Sequence, residues 1–266
     1  MKTQLPYKAF LLDNDGVICD SNKYHWEGYR DIIKNYYPEI EYTQEEHNTL
    51  LGINTYDTFV AILKNHGYGT QVNNKEIIET IKIMEKTKQE DFQTRCEHST
   101  PEVLFDGMRQ FLKSAHEAGI ILIVCSSSSS ARTMLENAKV IDYINYVVNP
   151  KALHDCLTPL SIELGKIPGK PAPDLFETGF IRAAQFLPNL KKEQVLGFED
   201  ATNGVAAIKR AGISALYIGD ITHPSNKKAF EEQYKVMPDY VVEHSSQITL
   251  NKVTQLVEEK NLAIEQ

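Results

Sequence analysis

The chain has 266 residues, 42% of them hydrophobic and 24% charged, which fits a soluble globular protein with one large domain or a core carrying an inserted module. Its formal net charge of -8 excludes a general binder of the nucleic-acid backbone, which needs a basic face, but leaves small anionic substrates open because local charge decides those. No apolar run reaches the ~20 residues that span a bilayer, Met1 to Leu12 lacks the pattern of a secretory signal, and Cys19, Cys96, Cys125 and Cys156 show no CxxC pairing. The expectation is a reduced, cytoplasmic protein with no membrane partner and no disulfide framework.

The first element is the stretch Ala9-Phe10-Leu11-Leu12-Asp13-Asn14-Asp15-Gly16-Val17. Four apolar residues without alternation read as a strand buried on both faces, as in a parallel sheet. The two carboxylates then fall at its carboxyl end, where open α/β sheets place their ligands. Asp13 and Asp15 repel each other, so a cation or a shared proton is expected between them. Gly16 lets the chain turn sharply behind them.

From Asp20 to about Glu97 no buried strand is predicted. Asn22 to Tyr37 is an aromatic-rich helix stopped by Pro38. Thr43-Gln44-Glu45-Glu46 has the form of a capping box that opens a second helix. Thr55 to Leu63 is a third, closed by Asn65-His66-Gly67, and Ile77, Ile78, Ile81 and Met84 share one face of a fourth that runs to about Arg95. Strands and helices then alternate. Met108, Phe111, Leu112 and Ala115 lie on one helical face, with Gly119 at its end; Ile120 to Cys125 is a buried strand followed by five serines. Met134, Leu135 and Ala138 mark a helix, Tyr146 to Val148 a strand, and Leu157 to Leu164 a short helix. Asp174, with Glu177, caps a helix carrying Phe176, Phe180, Ala183 and Leu187. Gln194 to Phe198, Ser214 to Ile218 and Tyr240 to Val242 are further strands, with a helix through Val205, Ile208 and Ala211 between the first two and a last helix from about Ile248. This alternation implies right-handed crossovers and a parallel sheet covered on both faces.

Three predicted strand ends carry polar groups: Asp13 and Asp15, Ser126, and Glu199 with Asp200. Singly they have plainer readings, as a polar turn, a helix cap and acidic residues suited to a helix N-terminus. Together with Lys170, held in the proline-stiffened Gly169-Lys170-Pro171-Ala172-Pro173-Asp174 loop, they make a set that neighbouring strand ends bring to one crevice. Oxygen ligands favour a hard cation, and magnesium suits a site shared with phosphate oxygens. A carboxylate nucleophile with such a metal suits phosphoryl transfer.

Asp13-Asn14-Asp15-Gly16-Val17, Ser126 after its apolar strand, Lys170 in Lys-Pro-Ala-Pro, and Gly197-Phe198-Glu199-Asp200-Ala201-Thr202-Asn203-Gly204 occur in that order. In these four signatures, across about Lys8 to Asp220, the chain resembles the haloacid dehalogenase superfamily, in the branch whose helical cap follows the first strand. The Asp-Gly-Val ending and Lys23-Tyr24-His25 are similar to the β-phosphoglucomutase-like group of phosphatases and mutases. The resemblance implies a Rossmann-like, doubly wound parallel α/β core, residues 1–18 and 97–266, with a helical cap at 19–96 that closes over the substrate. It implies that Asp13 attacks phosphorus and becomes aspartyl-phosphate, that Asp15 is the acid and base, and that Ser126 and Lys170 bind the phosphoryl oxygens. Magnesium would be held by Asp13, the main-chain carbonyl of Asp15, and Asp200, with Glu199 as a ligand or its supporting partner. Relatives that are mutases carry a histidine where His25 stands, which makes His25 a candidate substrate contact; a helix-surface histidine is the plain alternative.

Mutases of that group also carry a lysine before the cap-loop glycine and an arginine soon after it. Here Leu50-Leu51-Gly52-Ile53-Asn54-Thr55-Tyr56-Asp57 supplies no cation, so nothing in it holds the second phosphate of a bisphosphate. The reading is a magnesium-dependent phosphatase of a small phosphorylated metabolite, a monomer or weak homodimer. A sugar-phosphate mutase and a non-catalytic binder of phosphorylated metabolites are the alternatives.

Overall fold

The computed structural model describes residues 5–50 and 54–264. The chain forms two compact units, Met1–Asp20 with Ser99–Gln266, and Ser21–His98.

The larger unit is built on a six-stranded, all-parallel sheet in the order β3-β2-β1-β4-β5-β6. Its strands are β1 (Ala9–Leu12), β2 (Ile121–Cys125), β3 (Tyr146–Val148), β4 (Val195–Glu199), β5 (Ser214–Ile218) and β6 (Tyr240–Val242). β1 lies centrally between β2 and β4, and its four residues are fully buried, as an uninterrupted apolar run requires. The order reverses beside β1, so the carboxyl end of β1 is the topological switch point where such sheets bind ligands.

The smaller unit holds α1 (Asn22–Tyr36), α2 (Gln44–Thr49), α3 (Thr55–Leu63) and α4 (Lys75–Glu97). The larger carries α5 (Met108–Glu117), α6 (Ala131–Asn137), α7 (Pro159–Leu164), α8 (Asp174–Phe186), α9 (Thr202–Arg210), α10 (Pro224–Lys228) and α11 (Leu250–Ile264). Alternation along β1 sends Ala9 and Leu11 into the core under α8 and α9, with Ile123, Phe176, Val195 and Ile208. Phe10 turns the other way and stacks on Phe111 of α5 at 5.8 Å, with Phe198 edge-on at 5.0 Å. Fully burying one such ring is worth ~1.5–3 kcal/mol. The smaller unit has its own core, in which Tyr29, Ile33, Phe59, Ile62, Ile81 and Met84 meet. Arg95 ties α1 to α4 there, bonding Glu27 at 3.0 Å, Asp31 at 2.8 Å and Asp91 at 2.6 Å.

Several expected ends differ. Thr43 caps α2 by accepting from the Glu46 N–H at 3.2 Å, without the reciprocal half of a capping box. Asp174 is not a cap: Pro173 takes that position, and the Asp174 carboxylate instead accepts from the Thr158 hydroxyl. Thr158 and Ser161 form the capping box that starts α7. The approach to the lysine loop is fixed by Asp155, which is fully buried. Its carboxylate accepts from the Tyr146 hydroxyl at 2.9 Å, from Arg182 Nε at 3.0 Å and Nη2 at 2.7 Å, and from the Asn149 N–H at 2.8 Å. α10 was not visible in the sequence pattern. Residues 51–53, the centre of the uncharged loop, lie outside the described residues. Among the described residues no helix is long and apolar enough to cross a membrane, and the four cysteines are buried without a disulfide.

Candidate active site

The ladder between β1 and β4 runs one residue past the strand, because the Asp13 N–H donates to the Phe198 carbonyl at 3.1 Å. This sets Asp13 beside Glu199, on the face already occupied by Leu11 and Val195. The chain then turns at Gly16, whose φ of +80° lies in the region that favours glycine. Space demands glycine too. A Cβ at Gly16 would lie 1.8 Å from Asp200 Oδ2, and one at Gly204 would lie 2.0 Å from Glu199 Oε1. The glycines that end the two acidic signatures are thus the hollows in which the Asp200 and Glu199 carboxylates sit.

Of the predicted residues, the structure brings together Asp13, Asp15, Ser126, Lys170, Glu199 and Asp200. The Lys170 ammonium stands 3.1 Å from Asp13 Oδ1 and also bonds Glu199 Oε1. Glu199 is fully buried, and its Oε2 accepts from the Ala201 N–H at 2.9 Å. Ser126 is 1% exposed; its hydroxyl donates to Asp15 Oδ2 at 3.3 Å and accepts from the Ser128 N–H at 3.0 Å. Ser126 therefore does not cap α6, whose N-cap is Ser130. Side-chain oxygens of Asp13, Glu199 and Asp200 lie within 4.8 Å of one another; the Asp15 carboxylate stands outside that triad.

The cluster carries more negative charge than Lys170 offsets. Burial would lower the lysine, but Asp13 and Glu199 overcome this and hold it above the ordinary lysine range. Burial, with Glu199, Asp15 and Asp200, pushes Asp13 well above the usual carboxylate range against the pull of Lys170. Burial first and Glu199 second push Asp200 up to about 8. Asp15 Oδ1 is buried without a hydrogen bond, and the neighbour of Asp13 Oδ1 is the Lys170 ammonium. Clustered hard oxygens, an orphaned acceptor and raised carboxylates together fit a divalent cation such as magnesium.

His25 lies in the smaller unit. Its ring stacks on Phe92 at 4.1 Å, and its Nδ1 accepts from the Lys88 ammonium, which puts the ring proton on Nε2. Burial, then Lys88 and His47, lower His25 to about 3. Lys88, only 3% exposed, was missed from sequence. Its signal was present: it follows Ile81 and Met84 on the buried face of α4, a cation at an apolar-stripe position.

A model of the haloacid dehalogenase-like hydrolases matches residues 7–212. A beta-phosphoglucomutase of Bacillus subtilis (strain 168) is 29% identical over 243 residues, covering 91% of this chain and 92% of that protein. A phosphorylated carbohydrates phosphatase of Thermotoga maritima is 24% identical, covering 79% and 84%. The crystal structure of a beta-phosphoglucomutase from Clostridium difficile shares the fold with a TM-score of 0.63, at 19% identity, over 96% of this chain and 99% of that one.

Proposed function

The chain belongs to the haloacid dehalogenase-like hydrolase family, and from that premise we propose that it is a magnesium-dependent phosphatase hydrolysing a small phosphate monoester through a phosphorylated Asp13. The observation that carries this reading is the meeting of Asp13, Asp15, Ser126, Lys170 and Asp200 at the carboxyl ends of neighbouring strands β2, β1 and β4.

Asp13 and Asp200 would hold the magnesium ion directly, with the main-chain carbonyl of Asp15. Glu199, whose two oxygens already serve Lys170 and Ala201, supports them. When bound, the ion supplies positive charge to the phosphoryl oxygens and to Asp13. An Asp13 oxygen attacks phosphorus, and the bond from phosphorus to the ester oxygen breaks. Asp15 gives its proton to the leaving alkoxide. Asp15 then takes a proton from water, which attacks phosphorus; the bond to Asp13 breaks and phosphate leaves. Ser126 donates to the transferring group, and Lys170 neutralises it. This is positioning and charge stabilisation, as a loose phosphoryl transition state requires.

A sugar-phosphate mutase is the second reading, favoured by the buried Lys88 ammonium beside His25 and by the beta-phosphoglucomutase relative.

The test uses p-nitrophenyl phosphate. Wild-type protein should release nitrophenol with magnesium and stop when the metal is chelated. Asp13→Asn is near-isosteric but a poor nucleophile; it should fold normally, lose nearly all turnover and trap no acid-stable phosphate. Turnover by that variant beyond a small residue would overturn covalent catalysis at Asp13.

A further inference from the structure

The glycine at position 16 both serves the site and loosens it. Its missing side chain makes the hollow in which Asp200 sits: a Cβ there would stand 1.8 Å from Asp200 Oδ2, 2.4 Å from the carboxyl carbon and 3.0 Å from Oδ1. Glycine is also the most permissive residue of a backbone, and Gly16 follows directly on Asp15. Within the turn, the Gly16 N–H donates to the Cys19 carbonyl at 2.9 Å, and the Ile18 and Cys19 N–H groups donate to the Asn14 carbonyl at 2.9 and 2.8 Å. These bonds close the inside of the turn. They do not engage the Gly16 carbonyl, and so do not fix the peptide that leaves Gly16.

That carbonyl is held from 229 residues away. The Ser245 hydroxyl donates to it at 2.9 Å, and Ser245 is 1% exposed. Ser245 opens the single helical turn Ser245–Gln247 that follows β6. This turn is itself fixed. The Gln247 N–H donates to the His244 carbonyl and the Ile248 N–H to the Ser245 carbonyl, each at 3.0 Å. Gln247 Oε1 accepts from the Glu243 N–H at 3.0 Å, and Ile248 is buried. A second tie runs beside the first. The His244 ring stands edge-on to Phe105 at 5.2 Å, and the Phe105 N–H donates to the Ile18 carbonyl at 3.2 Å. A peptide is planar, so holding the Gly16 carbonyl sets the whole Gly16–Val17 peptide and, with it, the Cα that walls the Asp200 carboxylate.

We propose that Ser245 is a positioning residue of the metal site, whose hydroxyl holds the Gly16 turn against the Asp200 carboxylate. This rests on the metal-dependent reading above and adds to it a residue outside the acidic signatures, near the far end of the chain. Ser245 acts through Gly16 and meets neither metal nor substrate. Without the hydroxyl the Gly16 carbonyl is released to water, and the wall behind Asp200 rests on a glycine backbone alone. Groups that orient a metal's ligands from behind typically govern its affinity.

The experiment titrates Mn2+ into metal-free protein, well below its melting temperature, and follows the free ion by electron paramagnetic resonance. Ser245→Ala removes the donor and should weaken Mn2+ binding about tenfold, the lower end of what outer partners of metal ligands govern. A loss below about threefold overturns the role. Thr178→Val controls for stability alone: it removes another buried hydroxyl that donates to a carbonyl, that of Asp155 at 3.3 Å. It should lower the melting temperature and leave Mn2+ affinity unchanged. If it weakens Mn2+ binding as much as Ser245→Ala does, the effect is general loosening and the proposal falls. Should Ser245→Ala not fold, Ser245→Cys takes its place, with similar volume and a weaker donor; binding as tight as wild type then overturns the role. Asp200→Asn separates the two levels. If wild type binds Mn2+ no better than Asp200→Asn, the metal site itself is wrong and Ser245 falls with it. If Asp200→Asn loses Mn2+ and Ser245→Ala does not, only the role of Ser245 falls.

Discussion

Asn14 shows how tightly the two catalytic candidates constrain what lies between them. It is fully buried, its Nδ2 reaches only Met134 Sδ at 3.6 Å, and its Oδ1 has no partner. A buried unsatisfied amide costs about 1–3 kcal/mol. Asn14→Leu, which keeps the volume and removes the polar atoms, should raise the unfolding free energy by about 1–2 kcal/mol in urea titrations; a loss of stability would show that the amide has a role the packing hides. Asp200 makes a prediction with a definite sign. Its carboxylate rises from 3.8 to about 8 on folding, through burial and then Glu199. Between those values the folded state holds a proton that the unfolded chain has released, so metal-free stability falls as pH rises from about 4 to about 8. His25 and His47 act oppositely. Burial and then Lys88 lower them from 6.5 to about 3 and about 4, so their contribution grows as pH rises toward 6.5. The measurement is therefore the difference in melting temperature between wild type and Asp200→Asn in chelator, across that pH range. Wild type should lose ground to the variant as pH rises, and magnesium should abolish the loss. A difference that does not change with pH would remove Asp200 from the buried cluster.

The helix α9 carries a conflict between local preference and site geometry. Alanine is a better helix former than glycine by about 1 kcal/mol, so propensity alone would favour Gly204→Ala. The Glu199 carboxylate that the new Cβ would meet is fully buried and pinned by Lys170 and the Ala201 N–H, so it has no room to retreat. Gly204→Ala should therefore lower stability and cut turnover at least tenfold; a more stable, fully active variant would mean that Glu199 moves freely. The strands and the acidic signatures were legible in the sequence for a physical reason. A short apolar run ending in charge has few other solutions, so β1, β2 and β4 and their terminal residues could be read directly. Asp174 was misread because an acidic residue at a helix start has the form of a cap, whereas its real partner, Thr158, lies 16 residues away. Asp155 was invisible as an anchoring residue for a related reason: its role depends on which strand and which helix it meets, and that is not carried by local spacing. Lys88 left a trace, a cation at an apolar-stripe position, but the spacing did not reveal its partner His25.

For the molecule as a whole, the proposed phosphorylation of Asp13 has two outcomes, transfer to water or transfer to a second hydroxyl of a sugar. A mutase must hold a doubly phosphorylated sugar while it re-enters with the other phosphate toward Asp13, and each well-placed cation contributes about 1.5–3 kcal/mol to that hold. The segment Leu50 to Asp57 supplies none. The smaller unit does contain a buried cation, Lys88, but its ammonium is joined to His25 and lies 4.9 Å over the Tyr29 ring and 4.8 Å over that of Phe92. Lys88 is thus bound into a packed aromatic setting, where serving a second phosphate would mean leaving those contacts. One engaged cation in place of two free ones lowers bisphosphate retention by about tenfold to a hundredfold on the same scale, and water then competes for the phosphorylated aspartate. Net hydrolysis is therefore expected even though a beta-phosphoglucomutase is among the relatives. The decisive assay supplies β-glucose 1-phosphate with a trace of glucose 1,6-bisphosphate and follows both products. Inorganic phosphate should accumulate, from this ester or another small one, with little glucose 6-phosphate. Glucose 6-phosphate forming faster than inorganic phosphate would establish the mutase. In that case Lys88→Met should convert the enzyme toward hydrolysis, with glucose 6-phosphate falling relative to inorganic phosphate, because the remaining cation would be gone.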